Sequence, residues 1–211
     1  MSDRETKERL IESAAREFSE KGYNKASLRT ICANAGVTTG ALYFFFEDKE
    51  DLFAAIVEKP IADMTMILQT HFAEHESFFD ISFSAEEKYD LSGSHDEFTE
   101  QLIHQLYENY DAFILLLTKS QGTRFENTVD RIIDLTELNF IAMAEKMAKH
   151  YPGQTVNKYM THWLTHVTID AFIHLLTHEN NEKKAVAQMS RILGFIVGGS
   201  MNLVLMPDNE I

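Results

Sequence analysis

The chain has 211 residues, 45% of them apolar and 25% charged, with only 9 Gly and 3 Pro, a globular composition poor in the turn formers that β-rich folds need. Its formal net charge of −14 speaks against a nucleic-acid binder that uses its whole surface. One cysteine, Cys32, excludes an intrachain disulfide framework and suits a reducing cytosol. The acid is unevenly placed. Residues 1–59 carry 9 Lys+Arg against 11 Asp+Glu, leaving 10 against 22 for the rest, so the N-terminal part is near neutral and the remainder strongly acidic. The start, Met1 to Glu5, is charged and lacks an apolar run, so no signal peptide is expected and a cytoplasmic location follows.

In chain order, Ser2 and Glu5 have capping-box spacing, and Leu10, Ile11, Ala14, Ala15 and Phe18 then recur at helical period until Gly22 stops the run. Ser27 is a good N-cap for a short second helix with Leu28, Ile31 and Cys32 inward, ending at Asn34-Ala35-Gly36. Thr38 can cap a third helix, with Val37 and Leu42 in staple positions. Asp48 opens a fourth, with Leu52, Phe53, Ile56 and Val57 on its apolar face. Pro60 lacks a backbone donor and is expected to kink or break that helix before Ile61 to Phe72.

Residues 80–95, rich in Asp, Ser and Gly, read as a loop. A helix is expected from about Asp96 to Thr118, a break at Gln121-Gly122-Thr123, and a long helix from about Phe125 to His150. Tyr151-Pro152-Gly153 breaks the chain again, and two helices, about 155–178 and 182–205, complete it. The most membrane-like stretch, Ile192 to Met206, is too short to span a bilayer and reads as a buried or interface helix. No strand alternation stands out. The fold class expected is all-α, with a three-helix N-terminal domain over 1–58 and a larger helical domain over 59–211.

Two short helices joined by Ala35-Gly36-Val37 form a helix-turn-helix, whose second helix projects from the surface to enter a DNA groove. The run Gly22-Tyr23, Ser27-Leu28-Arg29-Thr30-Ile31, Ala35-Gly36-Val37-Thr38-Thr39-Gly40-Ala41-Leu42-Tyr43, then Phe46 and Lys49-Glu50-Asp51-Leu52-Phe53 resembles the DNA-binding domain of TetR-family transcription regulators. The resemblance covers about residues 4–57 and includes the Leu-Tyr-x-x-Phe-x-x-Lys-x-x-Leu ending. It implies a cytoplasmic homodimer that binds a palindromic double-stranded operator, represses transcription, and loses operator affinity when a small molecule binds the C-terminal domain. No cofactor, metal or membrane partner is implied, and no nucleophile–base arrangement or phosphate loop suggests an enzyme.

On this reading the DNA-contacting residues are Ser27, Arg29, Thr38, Thr39, Gly40, Ala41, Tyr43, Phe44 and Lys49. Threonine can bond a base or phosphate and touch a thymine methyl, and glycine lets backbone approach DNA. Thr39, Ala41 and Phe44 stand where polar or basic side chains are common, so few phosphate contacts and a shallow salt dependence are expected.

Beyond residue 57 the resemblance is one of helical layout. Apolar Trp163, Val167, Leu193, Gly194, Ile196, Val197 and Gly198 suit the dimer interface, the glycines leaving a groove for a second helix. Phe113, Leu116, Leu117, Phe140, Met143 and Met147 are candidates to line a pocket for a hydrophobic effector. His162, His166, Asp170, His174 and His178 follow at i, i+4. Their row drifts around the helix, and no cysteine or Glu-x-x-His completes a metal site, so a solvated or interface stripe, open to a pH response, is expected there.

Overall fold

The computed structural model describes residues 2–79 and 92–208, and these divide into two compact units, Met1–Asp63 with Glu108–Val129, and Met64–Tyr107 with Asp130–Ile211. Of the loop expected over 80–95, residues 80–91 lie outside the described residues, and residues 92–95 form the first turn of a helix instead. No helix among the described residues is long and apolar enough to cross a membrane.

In the first unit, α1 (Asp3–Lys25) begins at Ser2, whose side chain accepts the backbone N–H of Glu5, and leaves helical geometry at Gly22, where φ is 75°. Helices α2 (Leu28–Ala35) and α3 (Thr39–Phe45) follow, capped by Ser27 and Thr38 through the N–H groups of Thr30 and Ala41. Between them Gly36 sits at φ 68°, a left-handed conformation that disfavours any residue with a Cβ. Leu10, Ala14 and Phe18 of α1 are buried with Ile31, Cys32 and Ala35 of α2 and Leu42 of α3. The Ser13 hydroxyl donates to the Ile31 carbonyl at 2.9 Å, tying α1 to α2.

Helix α4 (Lys49–Phe79) is continuous through Pro60. Of the kink or break expected there, the break is absent. A proline removes one N–H and crowds one carbonyl, and Pro60 is buried in a helix whose apolar residues Leu52, Phe53, Val57, Met64 and Leu68 are buried on both sides of it.

The single helix expected over 96–118 is two, α5 (Ser92–Glu108) and α6 (Tyr110–Lys119), because Asn109 adopts φ −113°, ψ 32°. The break separates the units. Helix α6 packs against α1, and the turn after it returns to α4. There the Arg124 N–H donates to Glu50 at 2.5 Å and its guanidinium to Glu58 at 3.2 Å, while buried Phe125 meets Phe53 at 6.0 Å between ring centroids.

In the second unit, α7 (Thr128–Ala148), α8 (Lys158–His178) and α9 (Glu182–Val204) accompany α5. An antiparallel ladder joins β1 (Gln154–Val156) to β2 (Leu205–Pro207), pairing Val156 with Leu205. The ladder was not expected, since three residues are too few to show alternation. It closes a small apolar cluster of Ala144, Leu164 and Val204, against which Val156, Ile196 and Leu205 pack.

Replacing Gly36 with alanine should lower unfolding free energy by about 1–2 kcal/mol, the cost of a left-handed L-residue. Urea denaturation checks this; an unchanged midpoint would show that the turn tolerates a side chain.

Candidate nucleic-acid interface

The sharpest local problem in the first unit is the chain reversal between α1 and α2. Helix α1 ends with carbonyls that have no intrahelical donor, and the reversal leaves N–H groups facing inward. Two charged side chains meet these needs from opposite sides. Lys49, at the first position of α4, directs its ammonium to the carbonyls of Tyr23 at 2.8 Å and of Asn24 and Ala26 at 3.4 Å each, and lies 4.5 Å from the Tyr23 ring centroid. Glu17, buried on α1, accepts the Ser27 N–H at 3.1 Å and the Lys21 ammonium at 2.8 Å. The Lys21 hydrogen bond, and after it that of Ser27, hold the Glu17 carboxyl below its ordinary range against the opposing effect of burial. Burial, and then Glu50 and Asp48, push the Tyr23 phenol up.

Tyr23 belongs to a ring cluster, with centroids 5.9 Å from Phe18 and 5.6 Å from Phe53. The start of α4 is fixed by Asp48, which accepts the Asp51 N–H at 2.8 Å, and by Asp51, which accepts the Glu47 N–H at 3.1 Å. The α1–α2 junction, the base of α4 and hence the seat of α3 thus share one set of bonds.

On this base α3 turns its buried side inward through Leu42, with Phe46 just beyond it. Its other face is open. Thr38, Thr39 and Gly40 are exposed, Ala41 is half-buried, and Tyr43 and Phe44 are 59% and 72% exposed. The Phe44 ring stands edge-on to half-buried Phe45 at 4.9 Å. The Thr38 hydroxyl accepts the Ala41 N–H at 3.2 Å, which leaves its own proton to donate outward. Half-buried Ser27 is engaged in the same way by Thr30, and Arg29 is exposed on α2. Eight of the nine expected contact residues therefore lie on α2, on α3 or at their caps. Lys49 lies apart from them, at the start of α4, and directs its ammonium to three backbone carbonyls. Sequence reasoning missed Glu17, which in a helical pattern reads as one more solvated acid.

The six candidate pocket residues are not brought together in one unit. Phe113, Leu116 and Leu117 belong to α6 in the first, whereas Phe140, Met143 and Met147 belong to α7 in the second; Phe113, Leu116 and Met147 are buried and the others half-buried. The break at Asn109 is the reason. Among the interface candidates, Trp163 is 46% exposed, Val167 and Ile196 half-buried, Leu193 buried, and a Cβ on Gly194 would meet nothing within 4 Å. Val197 and Gly198 fall in α9, outside the residues whose surroundings are described.

Residues 10–56 match the profile of bacterial regulatory proteins, tetR family. The chain is 47% identical over 53 residues to the HTH-type transcriptional repressor BepR of Brucella suis, covering 25% of each protein. It is 46% identical over 54 residues to the HTH-type transcriptional regulator AcrR of Shigella flexneri, covering 26% of this chain and 25% of that one. The chain thus matches about a quarter of the length of these relatives. Among solved structures, a transcriptional regulator from Aquifex aeolicus aligns over 90% of this chain and 99% of its own, with TM-score 0.58 and 21% identity. The regulator PfmR of Thermus thermophilus aligns over 88% and 97%, with TM-score 0.59 and 21% identity. At that identity the likeness is one of fold.

A group whose folded pKa is lowered stabilises the fold above its unfolded pKa and loses that effect as pH falls through the folded value. Glu17→Gln should therefore be less stable than the parent at neutral pH, with the gap narrowing as pH drops below the ordinary glutamate range. Thermal melts from pH 7 to pH 3 check this, and a gap independent of pH would contradict it.

Proposed function

We propose that this chain, whose N-terminal segment is of the bacterial TetR family, is a DNA-binding transcriptional repressor that reads a palindromic operator as a homodimer and releases it when a hydrophobic small molecule binds the second unit. The observation that carries the reading is the outward face of α3. A seven-residue helix anchored by Leu42 leaves two hydroxyls, a glycine and two large aromatics in solvent. Apolar side chains of that size on an open face mark an interaction surface, and threonine hydroxyls with aromatic rings suit base edges and thymine methyls.

A palindrome needs two such helices about one turn of DNA apart. The support for pairing is on α8 and α9, where Tyr159 is 75% exposed and Phe195 82% exposed, with Trp163 one turn beyond Tyr159. Effector control would be a population shift, the ligand favouring a dimer whose reading heads no longer match the operator. Helix α4 contributes residues to both units, and Pro60 within it is the natural place for such a change to be absorbed. Phe140, Met143 and Met147 remain the proposed effector contacts.

Because α3 carries no basic residue, Arg29 is the main phosphate candidate. Gel-shift titrations against the chain's own upstream region test the reading. Tyr43→Ala should weaken binding by about 1 kcal/mol, roughly fivefold. Arg29→Ala should flatten the plot of log affinity against log salt by about 0.9. Lys49→Ala should lower affinity with the slope unchanged, since its ammonium neutralises no phosphate. Failure of the parent chain to shift any fragment of that region would end the repressor reading, and a flatter slope for Lys49→Ala would restore Lys49 to the DNA.

A further inference from the structure

The histidines of α8 are not one continuous stripe. The structure separates them into two pairs of different geometry. His174 and His178 stack, with centroids 4.1 Å apart and planes at 19°. Ring-nitrogen lone pairs lie in the ring plane, so two nearly parallel rings direct them side by side. His162 and His166 are 4.5 Å apart at 66°, an edge-to-face arrangement that leaves the two rings unstacked.

A second observation concerns which nitrogen is available. The Nδ1 of His162 lies 2.8 Å from Oε2 of Glu137 on α7. A carboxylate only accepts, so Nδ1 carries a proton, and in the neutral form of the ring the lone pair is on Nε2. Metal-bound histidines are commonly oriented in this way, the non-ligating N–H held by a carboxylate. Among the described residues His162 makes no other hydrogen bond and His166 makes none. His162 is exposed, and His166 half-buried one turn later.

We propose that His162 and His166 form a two-histidine chelate for a first-row divalent transition metal of the zinc class, with Glu137 as the carboxylate that fixes the His162 ring. Two histidines at i, i+4 on one helix face are a recognised donor spacing for zinc. Among the described residues no group of three or more His, Cys, Asp and Glu side chains is gathered tightly enough to hold a metal. The pair therefore supplies two of four positions. Water, or the same pair from a second copy, supplies the rest. The pocket and operator readings are not required for this site.

The test is calorimetric titration of zinc chloride into the full chain after chelator treatment. Binding at micromolar zinc is expected, abolished by His162→Ala and by His166→Ala, and weakened 10–100-fold by Glu137→Gln, the usual effect of losing an orienting carboxylate. The double change of His174 and His178 to alanine, and His104→Ala, should leave it intact. Circular dichroism confirms that each variant is folded, and copper electron paramagnetic resonance should show coupling to two nitrogens, or four if a second copy contributes. The stoichiometry then separates the sources of the remaining ligands: one zinc per chain indicates water, and one per two chains indicates a second copy, both supporting the chelate. No heat at micromolar zinc, or heat that survives His162→Ala, overturns it. A Glu137→Gln variant that binds as the parent does overturns the orienting role.

Discussion

The reversal between α1 and α2 is where the N-terminal unit is decided, because a helix end inside a folded unit must find partners for its orphan backbone groups. Here the partners are ionised. Lys49 takes three carbonyls and Glu17 takes one N–H, so a cation and an anion hold opposite ends of the Ala26–Ser27 peptide. Hydrogen bonds to charged groups are worth more than neutral ones, about 1.5–3 kcal/mol. The buried carboxylate is offset by Lys21 rather than left alone. Ser27 is fixed by the first bond and caps α2 by the next, and Gly36 then directs α3.

This arrangement explains why the open face of α3 is not a positive one. Lys49, four residues beyond it along the chain, faces the protein backbone, and α3 itself holds only hydroxyl, aliphatic and aromatic side chains. A surface of that kind gains affinity from shape and apolar contact more than from counterion release. The turn that follows α6 adds Arg124 and Phe125 to the same unit through Glu50, Glu58 and Phe53. Residues distant in sequence thereby join the base on which α3 rests.

The acidic second unit uses the same chemistry differently. Glu137 and Glu182 each meet a histidine at 2.8 Å, and beside His162 a second imidazole stands edge to face rather than stacked. Spacing along α8 is identical for the two histidine pairs, so spacing alone does not distinguish a chelate from a stack. Rotamers and the neighbouring helix make the difference.

Local signals in the sequence determined the caps, the turn and most of the helices. Ser2, Ser27, Thr38 and Asp48 act within three residues of themselves, and Gly22, Gly36, Gly122 and Gly153 adopt positive φ, so each announces itself by residue type. The outward face of α3 was legible for the same reason, as a short helix anchored by one leucine. Tertiary structure alone decided what depends on partners far along the chain. It carried α4 through Pro60, split α5 from α6 at Asn109, and sent α6 to the first unit, dividing the expected pocket residues. It paired β1 with β2 across almost fifty residues and turned Lys49 inward. Helical period and capping are properties of neighbouring residues, whereas the destination of a proline's lost bond, a lysine's three donors or a histidine's free nitrogen is set by whatever packs against it.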